Sequence, residues 1–331
     1  ADRDGEVTLH IPEEQFRPWS PDRPFLYDLT VGTTQGQEED FDTVHSYFAL
    51  RKWETKPDAR GVLRFFLNDK PILLNGLLDQ GYWPEGLYTP PSDAAMVREL
   101  EQVKELGFNL LRKHAKIEPQ RWYYHCDKLG LIVWQDMVYG GAPLKQWYVT
   151  YLTNVLLPLL RRTPDGKAFW GLLGRESKAS REEYGQELEA TVDALRAHPC
   201  IGCWVPFNEG WGQFDAKAAT ARLRALDPGR LVDEASGWYD QGGGDVDSRH
   251  NYFYPLRVRP GGRAVALSEY GGIAWPMPGH EPPGRTYGYG TAKDKADLTK
   301  RYKKLQLKTV LPQLKNGLSA LVYTQVSDVE D

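Results

Sequence analysis

The chain has 331 residues, 41 Lys plus Arg against 45 Asp plus Glu, a net charge of −4 and a pI near 6.0. That length holds one large α/β domain plus a smaller piece, and that charge gives no electrostatic reason to expect nucleic acid or an anionic membrane as partner. A neutral substrate fits better.

No apolar run reaches the roughly 20 residues of a membrane span. The opening Ala1-Asp2-Arg3-Asp4 lacks the pattern of a signal peptide and there is no initiator methionine, so the expectation is a cytoplasmic, processed or excised piece. Cys126, Cys200 and Cys203 cannot all pair internally, and Cys203 lies inside an apolar strand-like run. The three read as buried thiols, which favours a reducing compartment.

In chain order, residues 1–64 read as β: Val7–Ile11, Leu26–Val31 and Val44–Leu50 are short alternating runs separated by Pro, Gly and Asp clusters. The segment is too short for a full sandwich, so a partial one is expected. From Phe65 the pattern changes to strand and helix in alternation. Strands are expected at 71–76, 109–112, 131–134, 201–207, 231–235, 249–253, 264–268 and 318–324. Helices are expected at 92–106, capped by Ser92 and closed by Gly107, at 119–129 with Pro119 in its first turn, and near 180–197, 216–226 and 294–311.

Eight strands with intervening helices over residues 65–331 match an α/β chain folded as a (β/α)8 TIM barrel, with a partial N-terminal β-sandwich segment before it. Periodicity alone leaves a doubly wound open sheet possible, but no G-x-G-x-x-G follows any strand, which counts against a dinucleotide site. Two long connections follow expected strands three and seven. Residues 140–179 carry Trp147, Tyr148, Tyr151, Trp170 and the pair Arg161-Arg162, and residues 274–289 are rich in Pro and Gly. In a barrel both lie on the active-site face, as candidate walls that set substrate choice.

Two acids follow apolar runs on that face: Glu209 in Phe207-Asn208-Glu209-Gly210-Trp211, after strand four, and Glu269 in Leu267-Ser268-Glu269-Tyr270-Gly271, after strand seven. The strands are across the barrel from each other, so the carboxylates can converge over its mouth. Paired carboxylates are the equipment of glycoside hydrolysis, and a separation of about 5–5.5 Å implies retention through a covalent intermediate. The bland alternative for each is a salt-bridged or capping acid.

Other strand ends supply candidate substrate contacts. Asn208 can donate from its amide to a sugar hydroxyl or simply cap the loop. Arg112 and His114, after strand two, bring a cation and a donor close to Glu269, either to keep it ionised or as structural ion-pair partners. Asp136 after strand three, His250 and Tyr252 after strand six, and Trp211 beside Glu209 complete the set. No histidine makes an H-x-H pair, so no metal and no cofactor are expected, and the partner expected is a carbohydrate.

The stretches Leu67-Asn68-Asp69-Lys70-Pro71-Ile72, Gly107-Phe108-Asn109-Leu110-Leu111-Arg112-Lys113-His114, His198-Pro199-Cys200-Ile201 leading to Asn208-Glu209, and Ser268-Glu269-Tyr270-Gly271-Gly272 make the chain resemble glycoside hydrolase family 2. That family holds β-galactosidases, β-glucuronidases and β-mannosidases. The resemblance covers residues 65–331, and residues 20–52 resemble the end of the immunoglobulin-like domain that precedes the family's barrel. It implies Glu209 as general acid/base, Glu269 as nucleophile, Asn208 as ligand of the 2-hydroxyl, and no metal.

The family's jelly-roll domain and most of its immunoglobulin-like domain are absent, which puts the activity of this piece in question. Trp134-Gln135-Asp136 is nearer the β-mannosidase branch, while Asn208-Glu209-Gly210-Trp211 is nearer β-galactosidases and β-glucuronidases. The expected function is a retaining exo-β-glycosidase of β-galactosidase type. A glucuronidase, mannosidase or furanosidase, or a noncatalytic sugar-binding barrel, is the alternative. Asn68-Asp69-Lys70 enters strand one at the opposite barrel face and so is no evidence for uronic acids.

Overall fold

The computed structural model describes residues 7–34, 41–152, 163–253, 255–277, 279 and 288–327. Ala1–Asp4, Arg161, Arg162 and Asp328–Asp331, all noted in the sequence, lie outside them. So do the side chain of Tyr151 and residues 280–287 of the second long connection.

The N-terminal segment is thinner than expected. Residues 7–12 form no strand, contrary to the run Val7–Ile11, and a single 3₁₀ turn follows at Glu13–Gln15. Val7 and Leu9 are exposed, so the alternation there buries nothing that could hold a strand. The next two runs pair as an antiparallel hairpin, β1 (Tyr27–Thr34) with β2 (Phe41–Phe48). Asp127 anchors this segment to the barrel: its Oδ2 accepts from Tyr47 Oη at 2.7 Å and its carbonyl accepts from the buried Trp19 Nε1 at 2.7 Å.

A second small sheet, missed in the sequence, joins β3 (Trp53–Pro57), β4 (Leu63–Leu67) and β5 (Lys70–Pro71). Asn68 and Asp69 turn β4 into β5 with φ of 51° and 63°, the left-handed pair that a tight two-residue hairpin needs. This sheet closes the N-terminal end of the barrel. Arg64 Nη1 donates to Leu318 O at 2.8 Å, Arg51 Nη2 to Ile201 O at 3.2 Å, and Phe65 packs edge-on to Trp134 at 5.8 Å. Gly202 admits Trp53, whose Cζ2 would lie 2.9 Å from any added Cβ. The boundary drawn after residue 64 falls inside β4.

The barrel strands are β6 (Leu74–Asp79), β7 (Leu110–Lys113), β8 (Ile132–Asp136), β9 (Ile201–Val205), β10 (Leu231–Val232), β11 (Val246–Asn251), β12 (Ala264–Gly271) and, after a short pair β13 (Ile273–Ala274) and β14 (Gly290–Thr291), β15 (Leu318–Thr324). All neighbours are parallel, in the order β10-β9-β8-β7-β6-β15-β12-β11, with β10 and β11 at the two ends. The expected TIM barrel is therefore present, with a seam between its fifth and sixth strands. Every residue of β8 and β9 is buried, as parallel strands covered on both faces require.

Helices α1 (Asp93–Glu105), α2 (Gln120–Leu129), α3 (Lys178–Leu195), α4 (Ala216–Leu226) and α5 (Lys295–Leu305) surround the strands. Ser92 caps α1 by accepting from Ala95 N at 3.1 Å, and Met96, Leu100 and Val103 form its buried stripe. Gly130, at φ 75°, ends α2. Among the described residues no helix separates β10 from β11 or β11 from β12, so the strand–helix alternation lapses there. The first strand lies three residues beyond its expected start because Lys70 and Pro71 are committed to β5. No described helix is long and apolar enough to cross a membrane. Cys126, Cys200 and Cys203 are free and buried.

Candidate active site

β9 stops at Val205, and Pro206 to Glu209 run off its C-terminal end. Backbone bonds to Ser236, beyond β10, hold the turn: Ser236 N donates to Phe207 O at 2.8 Å and Glu209 N to Ser236 O at 2.9 Å. Glu209 has φ 52°, a conformation that costs a non-glycine residue of order 1–3 kcal/mol and persists only where its surroundings enforce it. Gly210 follows at φ 76°, with the Tyr239 ring 2.6 Å from where a Cβ would stand. Across the barrel, β12 carries Glu269 directly into the same space.

One oxygen of Glu209, one of Glu269 and a ring nitrogen of His250 all lie within 4.8 Å of one another. The two acids differ in their surroundings. Glu269, 6% exposed, accepts from Arg112 Nη1 at 3.0 Å on Oε1 and from Tyr252 Oη at 2.6 Å on Oε2. Among the described residues the Glu209 carboxyl meets His250, whose Nδ1 is 2.7 Å from Oε1. Burial pushes the Glu209 carboxyl up to about 7, with Arg112 pulling the other way.

Arg112 is the hub. It has no exposed surface, and its fork takes both oxygens of Asp136, Nε to Oδ1 at 3.0 Å and Nη2 to Oδ2 at 2.8 Å. Nη2 also donates to Asn208 Oδ1 at 2.8 Å. Burial alone would lower the guanidinium's affinity for its proton, but Asp136 and Glu269 reverse that and hold it charged. Asp136 is itself fully buried. Burial pushes its carboxyl up to about 7 against the attraction of Arg112.

Because Arg112 can only donate, Asn208 must present its oxygen to it and its Nδ2 to His114, whose Nε2 lies 3.2 Å away. His114 Nε2 also meets Tyr139 Oη at 2.6 Å. Burial, then the neighbouring Arg112, hold the His114 imidazole well below its ordinary value, so it stays neutral.

His250 is likewise neutral: burial lowers it to about 4, Glu269 opposing and Arg112 assisting. Arg112 Nη1 faces His250 Nε2 at 3.3 Å. The same Nη1 donates to Glu269 Oε1 at 3.0 Å and to Ser268 O at 3.2 Å. The Tyr252 phenol is kept protonated by burial and by Glu269, and its ring stacks on Tyr289 at 3.6 Å. Trp211 stands apart from this cluster, edge-on to Tyr139 at 5.9 Å.

The structure thus brings Glu209, Glu269, Asn208, Arg112, His114, His250, Tyr252 and Asp136 together. Asp136 and Arg112 have no surface with which to touch a sugar, so a direct hydroxyl contact from either does not fit. Three serines escaped the sequence reading, Ser236, Ser248 and Ser268, all buried beside His250. Ser268 had a signal, a hydroxyl ending the apolar run Ala264-Val265-Ala266-Leu267, whereas Ser236, after Asp233-Glu234-Ala235, and Ser248, after Asp247, had none.

The Glu209–His250–Glu269 set has the donor types of a metal site. Arg112 already supplies a fixed cation within 3.0 Å of Glu269 Oε1, which opposes a divalent ion there.

A parallel barrel with two carboxylates converging at the C-terminal ends of strands four and seven defines a class of protein equipped for chemistry at a glycosidic bond. The chain belongs to glycoside hydrolase family 2: the model for that family's TIM barrel domain matches residues 62–253. It is 26% identical to the β-galactosidase of Leuconostoc mesenteroides over 247 residues, 73% of this chain and 20% of that one. With the β-galactosidase of Klebsiella pneumoniae it shares 26% identity over 273 residues, 80% of this chain and 22% of the other. The chain therefore spans about a fifth of the length of these curated relatives.

Among solved structures, a family 2 β-galacturonidase from Eisenbergiella tayi superposes with a TM-score of 0.65 at 17% identity, over 96% of this chain and 53% of that one. The β-D-glucuronidase of Dictyoglomus thermophilum gives 0.65 at 16% identity, over 93% and 52%. At those identities the likeness speaks to the fold.

Proposed function

We propose that this chain is the catalytic core of a retaining exo-β-glycosidase of β-galactosidase type, with Glu209 as general acid/base and Glu269 as nucleophile. The observation that carries this reading is the approach of the two carboxylates, with oxygens within 4.8 Å, Glu209 pushed up to about 7 by burial and Glu269 held by donors from Arg112 and Tyr252. Retaining enzymes need about 5–5.5 Å between their carboxyl groups, whereas inverting ones need about 6.5–9.5 Å to admit a water. In the first step Glu269 attacks the anomeric carbon as Glu209 protonates the departing oxygen. In the second, Glu209 takes a proton from water, which displaces Glu269.

Arg112 and Tyr252 donate to the two oxygens of Glu269 and fix its orientation. Asn208, locked by Arg112 and His114, offers its amide to the 2-hydroxyl of the bound sugar, a contact of value where it tightens in the transition state. Asp136 acts through Arg112. The galactoside preference rests on the curated relatives, which are β-galactosidases.

Azide rescue tests the roles. With a 2,4-dinitrophenyl β-glycoside, Glu269→Gly plus azide is expected to yield the α-glycosyl azide, and Glu209→Ala plus azide the β-glycosyl azide. The same anomer from both variants, or undiminished hydrolysis by Glu269→Gly, refutes the assignment. A galactoside, glucuronide, mannoside and arabinofuranoside panel on the unaltered chain decides the sugar.

A further inference from the structure

We propose that Asp233, Ser248, Ser268 and Ser236 form a positioning chain that sets which nitrogen of His250 carries the proton, and through it the protonation of Glu209. The inference rests on the general acid/base reading of Glu209 given above. The links are all short. Ser248 Oγ donates to Asp233 Oδ2 at 2.8 Å, Ser248 and Ser268 hydroxyls are 2.5 Å apart, and Ser236 donates to Ser268 at 3.1 Å. Ser236 Oγ then lies 3.1 Å from His250 Nε2, and His250 Nδ1 lies 2.7 Å from Glu209 Oε1. None of the four residues is more than 5% exposed.

The chain has a direction because each hydroxyl has a single hydrogen. An ionised Asp233 only accepts, so Ser248 must donate to it, Ser268 to Ser248 and Ser236 to Ser268, which leaves Ser236 an acceptor at the far end. His250 Nε2 then carries the imidazole proton, and Arg112 Nη1, 3.3 Å from that nitrogen, spends its hydrogens on Glu269 Oε1 at 3.0 Å and Ser268 O at 3.2 Å. Nδ1 is left as an acceptor, and Glu209 donates its proton to it from Oε1. If Asp233 becomes a donor, the hydroxyls can reverse. Ser236 can then donate to Nε2, the imidazole proton is on Nδ1, and Glu209 accepts it as a carboxylate. No atom leaves the network in either state; only hydrogens within hydrogen bonds change sides.

The rival account is that these side chains only stitch the seam where β10 and β11 lack a ladder. A carboxyl is a costly stitch. Asp233 is 1% exposed, its Oδ1 has no hydrogen-bond partner, and burial pushes it up to about 6 with Arg112 opposing. Other charges also bear on the pair. Arg112 from β7, Asp136 from β8 and Glu269 from β12 face Glu209 and His250, with His114 and the phenols of Tyr139 and Tyr252 near them. Arg263 and Asp240 act on Asp233. None of these is altered by the substitutions below.

The test is ¹⁵N NMR of the histidine-labelled chain, with the His250 signals assigned by their loss in His250→Asn. The expected wild-type pattern is protonated Nε2 and unprotonated Nδ1. Asp233→Asn, whose amide can donate to Ser248, and Ser236→Ala should both move His250 toward the other tautomer or into exchange. Ser236→Thr, which keeps the hydroxyl, should retain the wild-type pattern. In turnover, Asp233→Asn should lower the basic limb of kcat/KM by about half a pH unit or more.

Unchanged His250 tautomers in both Asp233→Asn and Ser236→Ala overturn the proposal. Lower stability of those variants with wild-type ¹⁵N shifts assigns the chain to the seam alone. Because the NMR needs no turnover, a wild-type chain that hydrolyses no glycoside sinks the catalytic reading while the tautomer still decides this one.

Discussion

Replacing Glu209 by glutamine separates the charge of this residue from its shape. Burial raises the carboxyl from 4.5 to about 7, so 7 − 4.5 gives 2.5 units. At 1.36 kcal/mol per unit this is on the order of 3 kcal/mol of resistance to ionisation in the folded state. The side chain is only 15% exposed, so solvent screening removes little of it.

The sign follows from proton counting. Between pH 4.5 and about 7 the folded chain holds a proton that the unfolded chain has released, so wild-type stability falls as pH rises through that window. Glutamine does not titrate, and its amide can still donate to His250 Nδ1. Glu209→Gln should therefore match wild type near the bottom of the window and exceed it above the top by up to about 3 kcal/mol. Urea unfolding of both proteins at a series of pH values measures this directly. A stability difference that is constant with pH, or that favours wild type more at high pH, would show that Glu209 does not carry its proton into the neutral range. The same variant should lose about 10²–10⁴-fold in kcat/KM on alkyl glycosides, whose leaving groups need protonation, and far less on a dinitrophenyl glycoside.

Arg112→Met strands Asp136 and Glu269 without their cation, and chemical denaturation should register a loss of about 3–5 kcal/mol together with abolished turnover. Tyr252→Phe removes one charge-assisted bond from Glu269, predicting a fall in kcat/KM of about 10- to 100-fold and an unfolding free energy lower by about 1.5–3 kcal/mol in chemical denaturation. Gly202→Ala drives a methyl into Trp53 and should destabilise by about 1–3 kcal/mol in a melting experiment, without altering KM in the folded fraction. Dialysis against a strong chelator should leave kcat/KM unchanged. A loss of more than about tenfold that added Mg²⁺ restores would mean that Glu209, His250 and Glu269 hold an ion after all.

The barrel was legible because its strands are buried on both faces and so appear as unbroken apolar runs, and because α1, α2 and α4 carry their own caps or periodicity. The β3–β5 sheet was not, since Trp53-Glu54-Thr55-Lys56-Pro57 has no alternation strong enough to declare a strand. Its stability comes from Trp53 against Gly202 and from Arg64 on the β15 carbonyls, contacts distant in sequence. Val7–Ile11 erred in the other direction: it alternates, but no surface lies opposite to reward it.

Within the site, the chemistry-bearing types announced themselves at strand ends, whereas their division of labour did not. Arg112 and Asp136 look in the sequence like two more polar groups at the rim. Only their zero exposure and fork geometry make them a support beneath the rim. That distinction explains how Glu209 keeps its proton toward neutral pH beside a second glutamate gripped by donors. Glu269 has a fixed cation and a phenol, both donors. Glu209 has neutral His250, and the cation meant to serve it is already committed to Asp136, Glu269 and Asn208. Arg112 thus tunes both acids, one by contact and the other by being spent elsewhere, and a chain that lost the Asp136 partner would release the guanidinium toward Glu209 and erase the difference on which acid/base work depends.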